Sequence, residues 1–183
     1  MKTIAFVSAK GGVGKTTLCF LLGTALARAG RRVRYLDLDP NESLKGLLAE
    51  HQVADVDDPE FVVVDTPPRL DTKQVVAVIK TADVICVPTR PTVADRPLAQ
   101  HTAQAVAELR HPQAKALVVF NQVRRGTLSS KHVDALEDGE FALPVASSAI
   151  SMRECFDRAW KKGWTALDEA AREEFFSFVL NLS

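Results

Sequence analysis

The chain alternates between continuous apolar runs and segments in which apolar residues recur with the period of a helix. Runs rich in β-branched residues are typical of strands buried on both faces, and we predict such strands at 2–8, 31–39, 61–66, 82–89 and 114–123. Helix-period segments are found at 16–30, 43–50, 72–81, 95–110, 151–161 and 165–180. A further strand is predicted at 141–146. This alternation predicts an α/β fold with a mostly parallel sheet and helices on both faces.

Length and composition favour one domain over residues 1–183. The chain is 46% hydrophobic and 25% charged, which is typical of a globular protein with a well-buried core. It has no apolar run long enough to span a membrane, so we expect a cytoplasmic protein. Cys19, Cys86 and Cys155 lie far apart without metal-ligand spacing, and we expect buried, reduced thiols.

Charge is balanced overall but unevenly placed. The formal net charge of +0 argues against a strongly electropositive protein. Acidic residues outnumber basic ones between 40 and 83, whereas basic residues outnumber acidic ones between 110 and 162. The sequence therefore permits a local anion-binding surface in its second half.

A glycine-rich segment, AKGGVGKTT at 9–17, joins the first predicted strand to the first predicted helix. Its glycines allow backbone N–H groups to converge on phosphate oxygens at the positive end of the helix dipole. This context predicts a nucleotide-binding phosphate loop and hence a P-loop NTPase fold. Lys15 would bind the terminal phosphates, Thr16 would ligate Mg²⁺, and Thr17 would contact the α-phosphate. The predicted nucleotide-binding residues here are Gly11, Gly12, Val13, Gly14, Lys15, Thr16 and Thr17.

The octet KGGVGKTT, residues 10–17, resembles the deviant Walker A box of the ParA/MinD family of ATPases, and short plasmid-partition proteins of the ParF type fit best. In that family the first lysine crosses a dimer interface and contacts the partner's phosphates. The resemblance implies that Lys15 serves its own ATP and that Lys10 acts on the partner's ATP. It also implies an ATP-dependent homodimer or filament. The alternative is a solvated lysine beside an ordinary phosphate loop.

Two later segments follow the order of that family's other motifs. YLDLDPNESL at 35–44 resembles its switch I, which implies that Asp39 positions the attacking water and contributes to the Mg²⁺ site, supported by Asp37. FVVVDTPP at 61–68 resembles its Walker B strand and switch II. An aspartate at the end of an apolar strand is costly unless it meets a cation, so Asp65 would meet Mg²⁺ through water. The predicted catalytic residues are Lys10, Lys15 and Asp39, and the predicted metal ligands are Thr16, Asp39 and Asp65.

The adenine site is predicted from two further segments. Asn121 follows an apolar strand and matches a position at which the family reads adenine with an amide; the alternative is an asparagine that only ends the strand. SSAISMRECFDRAWKKGW at 147–164 resembles the family's C-terminal pattern of a turn, an arginine and a helix. That segment should close over the base.

The resemblance implies a DNA-partition ATPase that binds DNA without sequence preference as an ATP dimer. It also implies a ParB-like centromere-binding partner that stimulates hydrolysis. Such a protein is nucleoid-associated when it holds ATP. DNA phosphates would be contacted by basic side chains, and the alternative is a set of solvated surface charges. The candidates are Arg124, Arg125, Lys131, Arg153, Arg158, Lys161 and Lys162.

Two other functions are weighed against DNA partition. The first is a MinD-like ATPase that positions a protein cargo or works at a membrane surface. The membrane version needs a basic amphipathic C-terminal helix. Residues 169–182 carry three glutamates and one arginine, so we expect a helix that packs on the core and no membrane binding. The second is a metal-cluster enzyme similar to nitrogenase iron protein, whose paired cluster cysteines have no counterpart here.

Overall fold

The computed structural model describes residues 1–127, 133 and 139–182. At its centre lies a five-stranded sheet whose strands follow the five long apolar runs. Neighbouring strands are parallel throughout, in the order β2-β3-β1-β4-β5. Their bounds are β1 Lys2–Phe6, β2 Val33–Asp37, β3 Phe61–Asp65, β4 Val84–Thr89 and β5 Lys115–Phe120. The predicted parallel sheet is confirmed.

A helix occurs in each predicted interval, although those predicted at 151–161 and 165–180 begin only at residues 154 and 169. Their bounds in the described part of the chain are α1 Lys15–Arg28, α2 Ser43–Glu50, α3 Lys73–Thr81, α4 Arg96–Leu109, α5 Glu154–Lys162 and α6 Glu169–Leu180, with a 3₁₀ turn at Gly163–Ala166. Two starts are fixed by side-chain caps, because Thr72 accepts from the Val75 N–H and Asp168 accepts from the Ala171 N–H. Elsewhere the apolar period and packing set the bounds.

Strands β1, β3, β4 and β5 are largely buried, which is why they are apolar along most of their length, whereas the edge strand β2 contains Arg34 and leaves Leu36 exposed. Successive side chains point to opposite faces of a strand. Phe6 therefore belongs to one core cluster, whereas its neighbours Ala5 and Val7 belong to the other. Helices α1, α2, α5 and α6 cover the first face, and α3 and α4 cover the second.

The register of the sheet brings polar residues together at its carboxyl edge. Phe6 pairs with Asp65, and Asp65 pairs with Asp37, so β1, β3 and β2 end at the same level. The glycine-rich segment leaves β1 at that edge. Ligands of open α/β sheets bind beyond the carboxyl ends of the strands, so the fold places these acids and the loop around one site.

The prediction of a strand at 141–146 is wrong. The segment lies beside β5 and makes only one isolated bridge, Val145 with Val118. Its hydrogen bonds are the Val118 N–H to the Pro144 carbonyl and the Ala146 N–H to the Val118 carbonyl, at 2.9 and 2.8 Å. Pro144 has no N–H to donate, which stops the ladder from extending toward residue 141.

Two expectations about buried residues are confirmed. The three cysteines are free and buried, and burial raises the pKa of the Cys19 and Cys86 thiols. Helix α6 packs on the core through Phe175 and Phe178, both fully buried. None of the described helices combines the length and hydrophobicity that crossing a membrane requires.

Candidate functional site

The glycine-rich loop takes a conformation that requires two of its glycines. Gly12 and Gly14 have φ angles of 73° and 93°, in the left-handed region that side chains disfavour. A Cβ on Gly14 would also lie 2.2 Å from Nδ2 of Asn121. Helix α1 starts at the next residue, Lys15, so the loop ends at a helix N-terminus, as an anion site requires.

Two amides at the end of β5 hold the loop in place. Asn121 is buried, and its Nδ2 donates to the Val13 carbonyl at 2.8 Å. Gln122, with a left-handed φ of 58°, donates from Nε2 to the Gly12 carbonyl at 3.2 Å. These bonds satisfy two carbonyls of the loop and help to fix its conformation. Asn121 therefore supports the phosphate loop, and its predicted adenine contact stays a prediction.

Lys15 is held inside the site. Only 7% of the residue is exposed, and its Nζ donates to the Lys10 carbonyl at 3.3 Å. Burial lowers the pKa of the Lys15 amine, and the carboxylates of Asp65 and Asp39 partly oppose this. A bound phosphate would supply the anion that such a buried ammonium needs.

Thr16 and Asp65 form a pair with an unsatisfied oxygen. The Thr16 hydroxyl donates to Asp65 Oδ2 at 2.6 Å, whereas Asp65 Oδ1 is buried without a hydrogen-bond partner. Burial raises the pKa of Asp65 to about 6, although Thr16 and Lys15 act against the rise. Hydroxyl and carboxylate oxygens suit Mg²⁺, which completes its octahedron with phosphates and water. The residues present fit a Mg²⁺–nucleotide.

The segment after β2 is braced by its own acids. Asp37 accepts from the Asp39 N–H and from the Lys45 N–H, each at 3.0 Å. Asp39 in turn accepts from the backbone and side-chain amides of Asn41 at 3.0 Å. Asp37 thus holds the loop and the start of α2, and Asp39 is the acid of this segment that lines the cleft.

A cleft of about 410 Å³ opens in front of the loop. Gly11, Gly12, Gly14, Lys15, Thr16, Thr17, Asp39, Asn41, Pro68, Gln122, Asp157 and Trp160 line it. A smaller pocket of about 130 Å³ shares Gly14, Thr17, Gln122 and Asp157 with the cleft, and its further lining includes Asn121, Met152, Arg153 and Phe156. The pocket is about large enough for a planar ring system. The volume of the cleft lies within the usual range for small-ligand sites.

Lys10 does not line this cleft, as far as the described residues show. Its Nζ lies 3.6 Å from Oδ1 of Asp95, at the start of α4. Asp95 is only 1% exposed and also accepts from Arg90 at 2.6 and 3.2 Å. Burial alone would raise the pKa of Asp95, but its hydrogen bonds with Arg90 and Thr92 outweigh it and lower the pKa. The two lysines of the octet thus point to different places.

Comparison with known families settles which group this geometry belongs to. Residues 4–165 match the family model described as the CobQ/CobB/MinD/ParA nucleotide binding domain. The chain belongs to that family. The match spans β1, the phosphate loop, the strand ends and α5, which are the parts that build the cleft.

Relatives in the family include a carboxysome distribution protein and a ParA protein. The maintenance of carboxysome distribution protein A of Halothiobacillus neapolitanus is 28% identical over 193 residues, which cover 93% of this chain and 88% of that protein. Protein ParA of Rhizobium radiobacter is 32% identical over 127 residues, covering 59% of this chain and 57% of that protein. The ParA/MinD resemblance is therefore confirmed.

Solved structures share the fold. Apo McdA of Cyanothece superposes with a TM-score of 0.80 at 18% identity, over 100% of both chains. An ATP complex of Cyanothece McdA has a TM-score of 0.76 at 16% identity, covering 100% of this chain and 96% of that one. MinD of Pyrococcus horikoshii with Mg-ADP has a TM-score of 0.69 at 15% identity, covering 96% and 93%. These bound nucleotides agree with the predicted ATP and Mg²⁺.

The predicted DNA-binding residues fall into two groups. Arg125 and Arg153 both contact Glu174, at 3.0 and 3.5 Å, and Arg153 also lines the smaller pocket. Arg124 donates to the Met152 sulfur. The second group is exposed on α5 and consists of Arg158, Lys161 and Lys162. Lys131 lies outside the described residues.

Several residues of the site were missed from the sequence. Gln122 could have been found beside Asn121, because an amide at a strand end is typical of a loop-binding position. Asp157 and Trp160 lie within 147–164, the segment predicted to close over the base, but nothing in the sequence singled them out. Asp95 could not have been found, because its contact with Lys10 joins elements that are distant in the chain.

Asp65→Asn is expected to stabilise the nucleotide-free protein by up to roughly 3 kcal/mol near neutral pH, because it removes a buried charge. The pKa of Asp65 is raised from 3.8 to about 6. Its contribution to stability is therefore present below about pH 4 and lost as pH rises through about 6. Urea unfolding of wild type and variant between pH 4 and 7 should show a gap that widens with pH.

The matched control is Asp71→Asn, which changes an exposed aspartate and should show no such widening. The Asp65→Asn variant should also lose Mg²⁺-dependent nucleotide binding. A stability gap that stays constant across this pH range would contradict the argument from burial.

Proposed function

We propose that the protein is a ParA-type partition ATPase that binds ATP with Mg²⁺, dimerises on ATP and hydrolyses it slowly. The observation that carries this proposal is the separation of the two lysines. Lys15 is buried in the cleft, whereas the Lys10 side chain lies outside it, is 37% exposed and places its ammonium against Asp95. A lysine that turns away from its own loop and remains accessible is suited to a partner's nucleotide.

Each part of the hydrolysis is assigned to residues of the cleft. Lys15 and the loop N–H groups hold the phosphates, and Thr16 with Asp65 holds the metal ion, which offsets charge on the phosphates. Asp39 is the half-buried carboxylate placed to orient water. Its loop is braced mainly by contacts within itself, and Lys10 reaches the site only from a second subunit. Hydrolysis by the isolated protein should be slow for both reasons.

DNA is the proposed partner of the ATP dimer. The exposed group on α5 suits non-specific contacts with phosphates, because the described residues place no acid in an ion pair with Arg158, Lys161 or Lys162. Arg125 and Arg153 suit them less, because both share the buried carboxylate of Glu174. A dimer would double the α5 surface. A ParB-like centromere-binding protein would stimulate hydrolysis, and DNA-bound protein would associate with the nucleoid.

A second candidate is the positioning of a protein assembly. It is favoured by the similarity to the carboxysome distribution protein, which extends over 93% of this chain. This candidate uses the same ATP cycle and differs in the cargo. The membrane-surface version is less favoured, because α6 buries Phe175 and Phe178 and carries glutamates at 169, 173 and 174.

The test traps the proposed dimer on DNA. Asp39→Ala should keep ATP binding and dimerisation but stop turnover, because the phosphate loop is untouched. With ATP–Mg²⁺ the variant should sediment as a persistent dimer and bind random-sequence duplex DNA. Adding Lys161→Ala and Lys162→Ala should weaken binding to every sequence alike and flatten the salt dependence by roughly one unit for each lysine that no longer pairs with a phosphate.

The matched control adds Lys73→Ala and Lys80→Ala, which remove two exposed lysines from α3. That control should bind DNA like the parent. A trapped dimer without affinity for DNA would exclude the partition function and leave the protein-cargo candidate. Equal loss in both double-lysine variants would mean that net charge, rather than the α5 surface, determines binding.

A further inference from the structure

Trp160 stands in the cleft and not in the core. It lies on α5, is 38% exposed and lines the cleft beside the phosphate loop. The other tryptophan, Trp164, is 6% exposed and packs edge-on against Phe175 in the core. A large ring left partly in solvent at a site of glycines, acids and hydroxyls does not serve to bury apolar area. Its position calls for a role at the site.

The indole of Trp160 fixes one hydroxyl of the phosphate loop. Its Nε1–H donates to Oγ1 of Thr17 at 3.0 Å, across 143 positions of the chain. An indole nitrogen can only donate, so the Thr17 hydroxyl is the acceptor and its own proton must point elsewhere. A threonine in a helix usually donates to the carbonyl four residues earlier. Here that carbonyl belongs to Val13, and the amide of Asn121 already occupies one of its two acceptor positions.

Trp160 is itself held from a second element. Its carbonyl lies 3.0 Å from Nε2 of His51, which follows α2, and a carbonyl can only accept, so this nitrogen carries the proton. The His51 ring packs at 4.9 Å from the ring of Phe20 on α1. Trp160 is therefore held by two contacts: its indole bonds Thr17 on α1, and its backbone carbonyl bonds His51 at the end of α2, the helix that follows the Asp39 segment.

We propose that Trp160 is a positioning residue for nucleotide binding: its indole N–H orients the Thr17 hydroxyl so that the hydroxyl donates to the phosphates of a bound nucleoside diphosphate or triphosphate. This inference rests on the proposed nucleotide site. Trp160 acts through Thr17, and its ring also narrows the open side of the cleft. Trp160 thereby supports the phosphate loop from a helix that is distant in the sequence, a contact that the glycine-rich motif does not contain.

The experiment is a double-mutant cycle on ADP affinity, measured by titration calorimetry with Mg²⁺. Trp160→Phe keeps an aromatic ring and removes the N–H, and it should weaken ADP binding about three- to tenfold. Thr17→Val removes the hydroxyl and should weaken binding at least as much. In the Thr17→Val background, Trp160→Phe should then have no further effect. Thermal unfolding of the apo variants should match wild type within a few degrees, so that a folding defect is distinguished from a binding effect.

Three other results would overturn either the role of Trp160 or the nucleotide site itself. Unchanged ADP affinity in Trp160→Phe would overturn the inference. Additive losses in the double variant would also overturn it, because Trp160 would then act as a wall and not through Thr17. Wild-type protein that binds no ADP would instead overturn the proposed nucleotide site itself.

Discussion

Lys10→Ala is expected to abolish ATP-driven dimerisation while leaving ADP binding by the monomer within about twofold of wild type. The side chain does not line its own cleft, so the affinity for ADP should not depend on it. Two ATP molecules facing each other across an interface bring about eight negative charges together, a repulsion that rises steeply in a low dielectric. Without a cation from each partner, the dimer should not form, and DNA binding should be lost with it.

Removing the Lys10 side chain should leave the monomer otherwise intact. Asp95 keeps its two hydrogen bonds from Arg90 when Lys10 is removed, so no buried carboxylate is left unpaired. The ion pair that is removed is long and partly exposed, and its absence should cost the monomer no more than about 1 kcal/mol. Light scattering with ATP–Mg²⁺ and ADP titration measure the two effects. Lys80→Ala is the control, and a Lys10→Ala variant that still dimerises would make Lys10 an ordinary surface residue.

Lys15→Ala is expected to abolish nucleotide binding at practical concentrations. Removing one partner of a buried, hydrogen-bonded charge pair costs about 2–5 kcal/mol, which at its upper end is more than a thousandfold in affinity. The loss should be similar for ADP and ATP, in contrast to Lys10→Ala, since both nucleotides need the loop of their own subunit. Equilibrium dialysis with labelled ATP measures it.

Stability separates a binding defect from a folding defect in this variant. Lys15 is buried between acids, so its removal also takes away the charge that opposes Asp65 and Asp39. Lys15→Met, which retains most of the apolar stem, is the matched variant and should bind as poorly while unfolding closer to wild type. Near-normal affinity in either variant would remove the phosphate loop from the site.

The fold was predictable because its signals are local and agree with one another. Most strands of the parallel sheet are largely buried, so they read as apolar runs, and each helix between strands carries its own period. The edge strand β2, with Arg34 and an exposed Leu36, gives a weaker signal. The segment around Val145 shows where this fails. It is apolar enough to be a strand, but Pro144 restricts its pairing, and only a neighbour in space shows how far the ladder extends.

The candidate site was predictable to the extent that it lies within motifs. The loop and the acids after β2 and β3 are contiguous sequences, and the register of the sheet brings them together. Asn121 was found for one role and is seen in another, because the sequence marks an amide at a strand end without saying which carbonyl it meets. Asp95 depends on a tertiary contact, which no spacing rule contains. Trp160 lies in the segment predicted to close over the base, but only the fold shows its bond to Thr17.

The Lys10–Asp95 pair has a consequence for how the proposed dimer would come apart. Moving Lys10 to a partner's nucleotide leaves Asp95 in place, since Arg90 and its burial keep it from following. The Asp95 carboxylate would thus remain available to the Lys10 ammonium in each subunit for as long as the dimer lasts. Once hydrolysis reduces the charge on the nucleotide, the partner's nucleotide would attract the Lys10 ammonium less strongly, and Lys10 would return to Asp95. The Lys10–Asp95 contact within each subunit would then favour dissociation after turnover, so Asp95 would help to set the lifetime of the dimer.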